Sequence, residues 1–502
     1  MQEALAVLVK AEKWEALSQE SKTFATTNEI AESLLGRDQA LKQKIEEARE
    51  LANVKLTENL EQRGKLDEAR ARYESILGEK PSETLGIYAY VRLAALSEQK
   101  LNRARDAIQY YQGLRDHYPS SKEARQAALE LARLYEKVNE PREAARRYRE
   151  FAETGKGRLE NQALTNSAVI LESLGEREDA AGAFFKLSET LRGSKEGAAA
   201  YEAGCNDMLL ASYRSRERKI LRAIHDCARE LSNAGEQKLL WQARSAWALD
   251  QMADGDQADE KWKKIASRSV KATPEAERAY LALAKLKTLG AELAEFKQLH
   301  FSRTNERPEA NIGKKTRALE SLEQKAEAVI KIGTAKLARS ARDAVRLAYL
   351  DFAETMENAA VPGKLSEAEQ IELKKSFLNF AKGFREKAAT FEEKVAAADP
   401  RVPASAEPSK EETLRIAPLT REEASLLENG QVPSDRAGEI YAKKAFALFR
   451  DGKFGEAHYF GEKWKREMSA APSPGYGARD YERFSAILSE KLPETDPLSH
   501  DF

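Results

Sequence analysis

The sequence predicts an all-α protein: a right-handed solenoid of repeated helix pairs, followed by a segment of longer helices and a final helical pair. Three observations predict this fold. Charged residues make up 33% of the 502 residues, whereas glycine and proline number only 26 and 15, which is typical of long or repeated helices. Apolar residues recur at helical spacing over most of the chain. Small and large apolar residues also return at a nearly constant interval, which indicates a structural repeat.

The repeating unit is clearest at residues 122–151. Two helices are predicted there, separated by a turn that carries Asn139 and Pro141. Since their apolar residues are explained by packing, any function must lie with the charged outer face. The residues that would pack the two helices together are Leu131, Ala132, Tyr135, Ala144, Tyr148 and Phe151.

The same unit recurs along the chain. A central alanine marks each second helix at spacings of 38, 37 and 36 residues, and an aromatic residue follows each alanine by four positions. Pro81 and Pro119 close two units, because proline cannot continue a helical hydrogen-bond ladder. The marker pairs are Ala69 and Tyr73, Ala107 and Tyr111, Ala144 and Tyr148, and Ala180 and Phe184. Three less regular pairs are predicted beyond them, at 198–213 with 216–231, 241–252 with 257–265, and 274–289 with 291–301, with Gly290 at the last turn.

This arrangement resembles the tetratricopeptide (TPR) repeat family, in which a small residue lies where two helices cross and a proline closes the unit. The units here exceed the family's 34 residues, and Asn53 stands where a large apolar residue is usual. The resemblance implies a solenoid that binds proteins or peptides. Residues 117–135 further resemble TPR proteins of bacterial cell envelopes. Besides the set in residues 122–151, the matching residues are Leu56, Leu60, Gly64, Leu66, Ala69, Tyr73 and Pro81.

Changes in composition divide the chain into four segments. Apolar residues in the second segment alternate at four and three positions, which indicates a heptad seam. This seam would pack on the preceding helix of the same chain or form a coiled coil between chains, and the oligomeric state stays open. The segments are a TPR-like solenoid at 1–301, long helices at 302–398 after a polar break at 302–314, a Pro-, Ala- and Ser-rich linker at 399–418, and a TPR-like pair, capping helix and tail at 419–502. The seam residues are Phe377, Ala381, Phe384, Ala388, Phe391 and Val395.

The compartment depends on the amino terminus and on two cysteines. No signal peptide is recognisable, but the first helix starts at residue 1 without a cap, which suggests a chain trimmed from a longer one. Cys205 and Cys227 are expected to be buried small apolar residues or, alternatively, a disulfide, which would indicate an oxidising compartment. Localisation therefore stays open between the periplasm or cell envelope and the cytoplasm.

No motif for catalysis, cofactor binding or metal binding is found in the sequence, so we expect no enzyme. Gly155-Lys156-Gly157 lacks the leading glycine and the hydroxyl of a phosphate-binding loop, and the five histidines are scattered. The net charge of −1 argues against a nucleic-acid partner. No apolar run is long enough to cross a membrane.

The predicted function is a non-catalytic scaffold or adaptor that organises a protein assembly, in a bacterial cell envelope. The alternative is a cytoplasmic TPR regulator that binds a peptide or a sensor partner. First helices would line the partner-binding groove, with Glu58, Glu61, Arg133 and Glu136 as its candidate residues. The Lys and Asn pattern by which some TPR proteins hold a terminal carboxylate is missing.

A basic stretch in the clearest repeat has two interpretations. Its arginines alternate with glutamates, which is typical of a solvated helix face, but they would also suit an acidic partner. The stretch contains Arg142, Arg146, Arg147 and Arg149.

Overall fold

The computed structural model describes residues 2–26, 39–212, 215–234, 238–300, 308–397, 416–470, 476–489 and 492. These residues form α-helices joined by short turns, with two 3-10 helices and no β-strand. Consecutive helices pack on one another along the chain. The predicted all-α repeat solenoid is therefore confirmed.

The helices belong to two compact units. Unit 1 comprises Met1–Arg192 and Ile416–Leu488, and unit 2 comprises Gly193–Arg415 and Ser489–Phe502. The first part of unit 1 contains α1 (Gln2–Lys10), α2 (Trp14–Thr26), α3 (Gln39–Gln62), α4 (Leu66–Gly78), α5 (Glu83–Gln99), α6 (Ala104–His117), α7 (Lys122–Lys137), α8 (Pro141–Ala152), α9 (Arg158–Ser173) and α10 (Arg177–Thr190). Unit 2 contains α11 (Lys195–Ala211), α12 (Arg218–Ala234), α13 (Lys238–Gln251), α14 (Gly255–Ala266), α15 (Arg278–Lys297), α16 (Pro308–Ile332), α17 (Ala335–Glu357) and α18 (Glu367–Ala397). The C-terminal helices are α19 (Arg421–Glu428), α20 (Ala437–Arg450), α21 (Phe454–Ala470) and α22 (Ala478–Ser489).

The turn before a second helix that carries a central alanine has a recurrent geometry. A residue with positive φ stands five positions before the central alanine, as Gly64 does at φ 74° and Asn139 at φ 60°. The next residue donates its backbone N–H to a carbonyl five residues earlier, for example from Glu140 to Tyr135 at 2.8 Å, except after Asn102, where Arg103 donates to Ser97, six residues earlier. This is the bond of a Schellman motif, which favours glycine or asparagine at the left-handed position. The same positive-φ position is occupied by Asn102, Gly175, Ala253 and Gly452.

The central alanines lie where the two helices of a pair cross. All four predicted markers, Ala69, Ala107, Ala144 and Ala180, are 0% exposed. Only a small side chain fits at this crossing, because the helix backbones approach closely there. Ala258 and Ala457 are equally buried, so the same register extends into α14 and α21.

In unit 2, an apolar cluster joins residues from Leu209 in α11 to Ala388 in α18. The heptad seam of α18 packs on α17 of the same chain, with the Phe352 and Phe384 rings 4.4 Å apart. This confirms the intrachain interpretation for the described side chains. Because the cluster crosses residue 301, the predicted division at 301/302 falls inside unit 2. The division of the chain into four separate segments stays a prediction.

Two predicted boundaries in unit 2 are wrong. Gly290 lies inside the continuous helix α15, because Leu289, Leu293 and Phe296 continue its buried face. The predicted break at 302–314 is helical from Pro308 onwards, and proline is favourable in a first helical turn. Residues 301–307 and most of the predicted linker, 399–415, lie outside the described residues.

Cys205 and Cys227 form a disulfide between α11 and α12. Their Cα atoms are 5.7 Å apart, and both side chains are buried. The alternative interpretation, a disulfide, is therefore the one that the structure shows, and the expectation of two unbridged apolar residues is wrong although both are buried. Antiparallel helices place the two residues at the same height.

We expect reduction of this bridge to destabilise unit 2. Opening a loop of 22 residues restores chain entropy to the unfolded state and costs about 3 kcal/mol of unfolding free energy. Urea unfolding with and without a reductant measures the change, and the Cys205→Ser/Cys227→Ser variant is the control that no longer responds to the reductant. Two free thiols in the denatured, unreduced protein would contradict the bridge.

Candidate protein-interaction site

Three of the four predicted groove residues are glutamates that accept hydrogen bonds from tyrosines. Tyr88 donates to Glu58 at 2.6 Å, Tyr73 donates to Glu61 at 2.9 Å, and Tyr148 donates to Glu136 at 2.6 Å. The carboxylates thus join neighbouring helices through charge-assisted hydrogen bonds. A partner protein would compete with these tyrosines for the same carboxylate oxygens.

The last two of these bonds belong to a repeated device. Glu61 and Glu136 lie eight residues before the central alanine, and the tyrosines lie four residues after it. In α13 and α14, the Trp262 indole donates to Asp250 at 2.9 Å with the same spacing of 12 residues. Burial first, and then the bond to Glu136, raise the pKa of Tyr148. In these three repeats, the aromatic marker is therefore a hydrogen-bond donor as well as a core residue.

Arg133 is the fourth predicted residue and the most exposed, with 58% of its side chain accessible. It pairs with Glu130 of its own helix at 3.3 Å, and such surface pairs contribute little to stability. The next first helix, α9, exposes Val169. As the wall of a groove, the four residues stay a prediction.

The C-terminal helices dock on the turns inside the helix pairs of unit 1. Asn139 is the centre of the contact: it donates to the Leu427 carbonyl at 2.9 Å and accepts from Lys463 at 2.8 Å. His458 lies 2.8 Å from the Ser173 carbonyl, and Gln431 donates to the Asn102 carbonyl at 2.7 Å. Helix α21, together with α19 and the turn after it, therefore lies on three successive turns of the N-terminal repeats.

Lys463 lies among the aromatic rings of this contact. Its ammonium is 5.3 Å from the Tyr441 ring centroid and 5.0 Å from that of Tyr459, distances at which a cation interacts with a ring. Burial lowers the pKa of Lys463 to about 8, although the nearby Glu136 charge opposes the shift. The Tyr459 hydroxyl is buried without a hydrogen-bond partner.

Unit 1 contains a groove of about 910 Å³ between the second helices α6 and α8. We call it the α7 groove, because α7 forms its floor with the small residues Ala124 and Ala128. Its other lining residues are Gln112, Arg115, Asp116, Pro119, Ser120, Ser121, Lys122, Arg125, Arg147, Glu150 and Thr154.

Two arginines of the α7 groove share one carboxylate. Arg115 lies 2.9 Å and Arg147 2.8 Å from the same oxygen of Glu150. Burial raises the pKa of Glu150, but the bonds and charges of Arg147 and Arg115 outweigh it and lower the pKa. The Arg147 Nε is buried without a partner, and Lys122 is exposed. The groove thus carries more positive charge than its own carboxylates neutralise.

The basic stretch in α8 is interleaved with acidic partners. Arg142 donates to Glu176 at 2.6 Å and also pairs with Glu456 of α21, and Arg149 lies 3.3 Å from Asp179. Arg146 pairs with Glu143. Only Arg147 of this stretch lines the α7 groove. Arg142 and Arg149 pair with carboxylates of other helices, whereas Arg146 pairs within α8.

The Gly155-Lys156-Gly157 stretch does not form a phosphate site. Gly155 and Gly157 lie before α9 against the buried Glu160 carboxylate, which would repel a phosphate. Among the described residues, no helix is long and apolar enough to cross a membrane, and no group of three His, Cys, Asp or Glu side chains could hold a metal ion.

Comparison with known proteins adds little to this account. No family model and no curated protein matches the chain. One matching solved structure is a circular tandem repeat protein with novel repeat topology and enhanced subunit contact surfaces, at 12% identity over 98% of this chain and 100% of that chain. Its TM-score of 0.18 carries no argument about fold or function.

We expect Tyr148→Phe to lower the free energy of unfolding of unit 1 by about 2 kcal/mol, because it removes a buried hydrogen bond to a carboxylate. Hydrogen exchange of α7 and α8 amides measures the loss. Tyr459→Phe is the matched control: it removes an unpartnered buried hydroxyl, so stability stays equal or rises. Equal losses in both variants would show that the Tyr148 bond does not matter.

Gly455→Ala is expected to loosen the C-terminal contact. A Cβ at residue 455 would lie 1.8 Å from the Leu174 carbonyl oxygen, so backbone must shift, at a cost of about 1–3 kcal/mol. Limited proteolysis and hydrogen exchange of α21 measure the effect. Gly182→Ala, where a Cβ meets nothing within 4 Å, is the control and is expected to be neutral or stabilising. Unchanged protection in Gly455→Ala would contradict the docking.

Proposed function

We propose that this protein is a non-catalytic scaffold of TPR type that binds an extended acidic segment of a partner protein in the α7 groove. The fold supports this proposal at the level of class, because stacked helix pairs present long surfaces to partners. The observation that carries the choice of surface is the shared Glu150: one carboxylate faces two arginines, and the exposed Lys122 lines the same groove.

The shape of the α7 groove supports an extended peptide as the ligand. The alanine floor lets the main chain of a peptide lie between α6 and α8. Side-chain carboxylates could then reach Lys122 and Arg147, where charge-assisted hydrogen bonds are stronger than neutral ones. Positive charge at such a surface gives specificity and a faster association rate.

The first-helix face is the competing surface. Its glutamates are engaged with tyrosines, and Arg133 has its own partner Glu130. A partner there would have to replace these bonds, which makes the α7 groove the better candidate.

We further propose that the scaffold works in an oxidising compartment such as the bacterial cell envelope. The Cys205–Cys227 bridge supports this location over the cytoplasmic alternative, because cytosolic thiols are kept reduced. The repeat spacing, the central alanines and the Schellman turns support the TPR assignment.

Charge reversal at the groove tests the proposal. Fluorescence anisotropy of the full chain with a labelled peptide of alternating Asp and Ser residues is expected to show saturable, salt-sensitive binding, absent for an Asn–Ser peptide. Lys122→Glu is expected to weaken this binding about tenfold, or about 1.4 kcal/mol. Lys122 is the first residue of α7, where an acidic side chain favours the helix, so the variant keeps its fold.

Arg133→Glu is the control on the other face and is expected to leave the affinity unchanged. If Arg133→Glu weakens binding while Lys122→Glu does not, the partner lies on the first-helix face and the α7 groove is the wrong site. Absence of any binding to the acidic peptide would overturn the choice of ligand.

A further inference from the structure

Unit 2 contains a pocket of about 320 Å³ at the position equivalent to the α7 groove. It lies between α12 and α14, with α13 as its floor, and we call it the α13 pocket. A third cavity, of about 300 Å³, lies between α14 and α16 above α15. The α13 pocket is lined by Ala228, Arg229, Ser232, Gln242, Ser245, Gln257, Glu260, Lys261, Lys264 and Ile265.

The three equivalent cavities differ in how their cations are neutralised. In the α7 groove, Glu150 bridges two arginines and Glu160 holds Arg125 at 2.9 Å. Above α15, Lys325 pairs with Glu292, and Lys285 donates to the Ala266 carbonyl at 2.6 Å.

The α13 pocket lacks such pairing. Its lining carries three cations, Arg229, Lys261 and Lys264, against the single carboxylate of Glu260. The nearest carboxylate to the Arg229 guanidinium is Asp226, at 4.0 Å on an exposed surface. The described residues therefore compensate the positive charge of this pocket only in part, through Glu260 and the more distant Asp226.

The lowered pKa of Lys261 agrees with the excess of cations over carboxylates in the pocket lining. Burial lowers its pKa, and the positive charges of Lys264 and Arg229 lower it further, while Glu260 only partly opposes the shift. The three cations thus act on one another, which means that their fields converge in one place. An anion placed among them would relieve this repulsion.

The floor of the pocket supplies neutral donors. Ser245 is 2% exposed, and its hydroxyl has no hydrogen-bond partner in the described part of the chain. A buried hydroxyl without a partner is costly, so it marks a position where a ligand atom belongs. Gln242 accepts from Arg268 through its carbonyl oxygen at 2.7 Å, which leaves its amide N–H groups available as donors.

We propose that the α13 pocket binds a phosphoryl group, as inorganic phosphate or as a small phosphate monoester. A phosphoryl dianion matches the excess of two positive charges, and its several oxygens can accept from Lys261, Lys264 and the floor donors at once. A carboxylate, with two oxygens and one charge, would leave part of this set unused. The cavity volume falls at the lower end of small-molecule sites, which suits a phosphate with a small organic group. This site lies in unit 2 and does not depend on the proposed scaffold function.

Isothermal titration calorimetry of the full chain in a phosphate-free buffer tests the proposal. Inorganic phosphate and ribose 5-phosphate are titrated separately, with acetate as the carboxylate arm. We expect one-to-one binding of at least one phosphate compound and at least about tenfold weaker binding of acetate. Tighter binding of the ester assigns the site to a phosphate monoester, and equal or tighter binding of inorganic phosphate assigns it to the free ion.

Variants locate the binding in the α13 pocket. Lys261→Gln/Lys264→Gln is expected to weaken phosphate binding at least about tenfold, and Ser245→Ala is expected to weaken it several-fold. The double variant keeps its fold because it removes like charges that repel each other, and an unchanged or higher melting temperature without phosphate checks this. Lys325→Gln, above α15, is the control and leaves the affinity unchanged. No binding of either phosphate compound, equal binding of acetate, or binding insensitive to the double variant would overturn the proposal.

Discussion

Close approach of two helices at a central alanine is the constraint on which the repeats depend. Ala69, Ala144 and Ala258 are each 0% exposed, so a larger side chain at any of them would separate the helices of its pair. The left-handed residue five positions earlier sets the direction in which the second helix leaves the turn. Turn and alanine together fix the geometry of a pair, and the hydrogen bonds from aromatic residues to carboxylates then hold it. Cavities between successive second helices follow from this regular stacking, whereas their chemistry depends on residues that the packing leaves free.

Much of the fold could be predicted from the sequence, because residues close together in the chain define the repeat. The central alanines, the aromatic residues four positions later and the helical seam of α18 all have spacings that sequence alone displays. The predicted turn at Gly290 is wrong. A glycine favours a turn in the sequence pattern, but Leu289 and Leu293 on either side of it continue the buried face of α15. Pro308 was likewise placed in a break, although proline is favourable at a helix start.

The candidate sites were much less predictable, since they depend on contacts between residues far apart in the chain. In the sequence, Glu61 and Glu136 are typical surface residues. Only the structure shows that they accept hydrogen bonds from tyrosines 12 residues away. That spacing was nevertheless available as a signal, because an acidic residue precedes the central alanine by eight residues in four repeats, as Glu61, Glu136, Glu172 and Asp250. No sequence pattern indicates the shared carboxylate of Glu150 or the buried hydroxyl of Ser245. Both result from stacking of adjacent pairs, which brings three helices to one cavity.

The contact between Asn139 and the C-terminal helices has a consequence for the order of synthesis. Its partners Leu427 and Lys463 are 288 and 324 residues further along the chain. The helices α11 to α18 of unit 2 all lie in the sequence between Asn139 and these partners. The ribosome therefore releases the first repeats of unit 1 long before the helices that complete it. Unit 2 can fold in the interval, because its residues form one continuous stretch from α11 to α18. During that time the turns at Asn102 and Asn139 lack the partners that they have in the folded chain, which leaves nascent unit 1 open to misassembly.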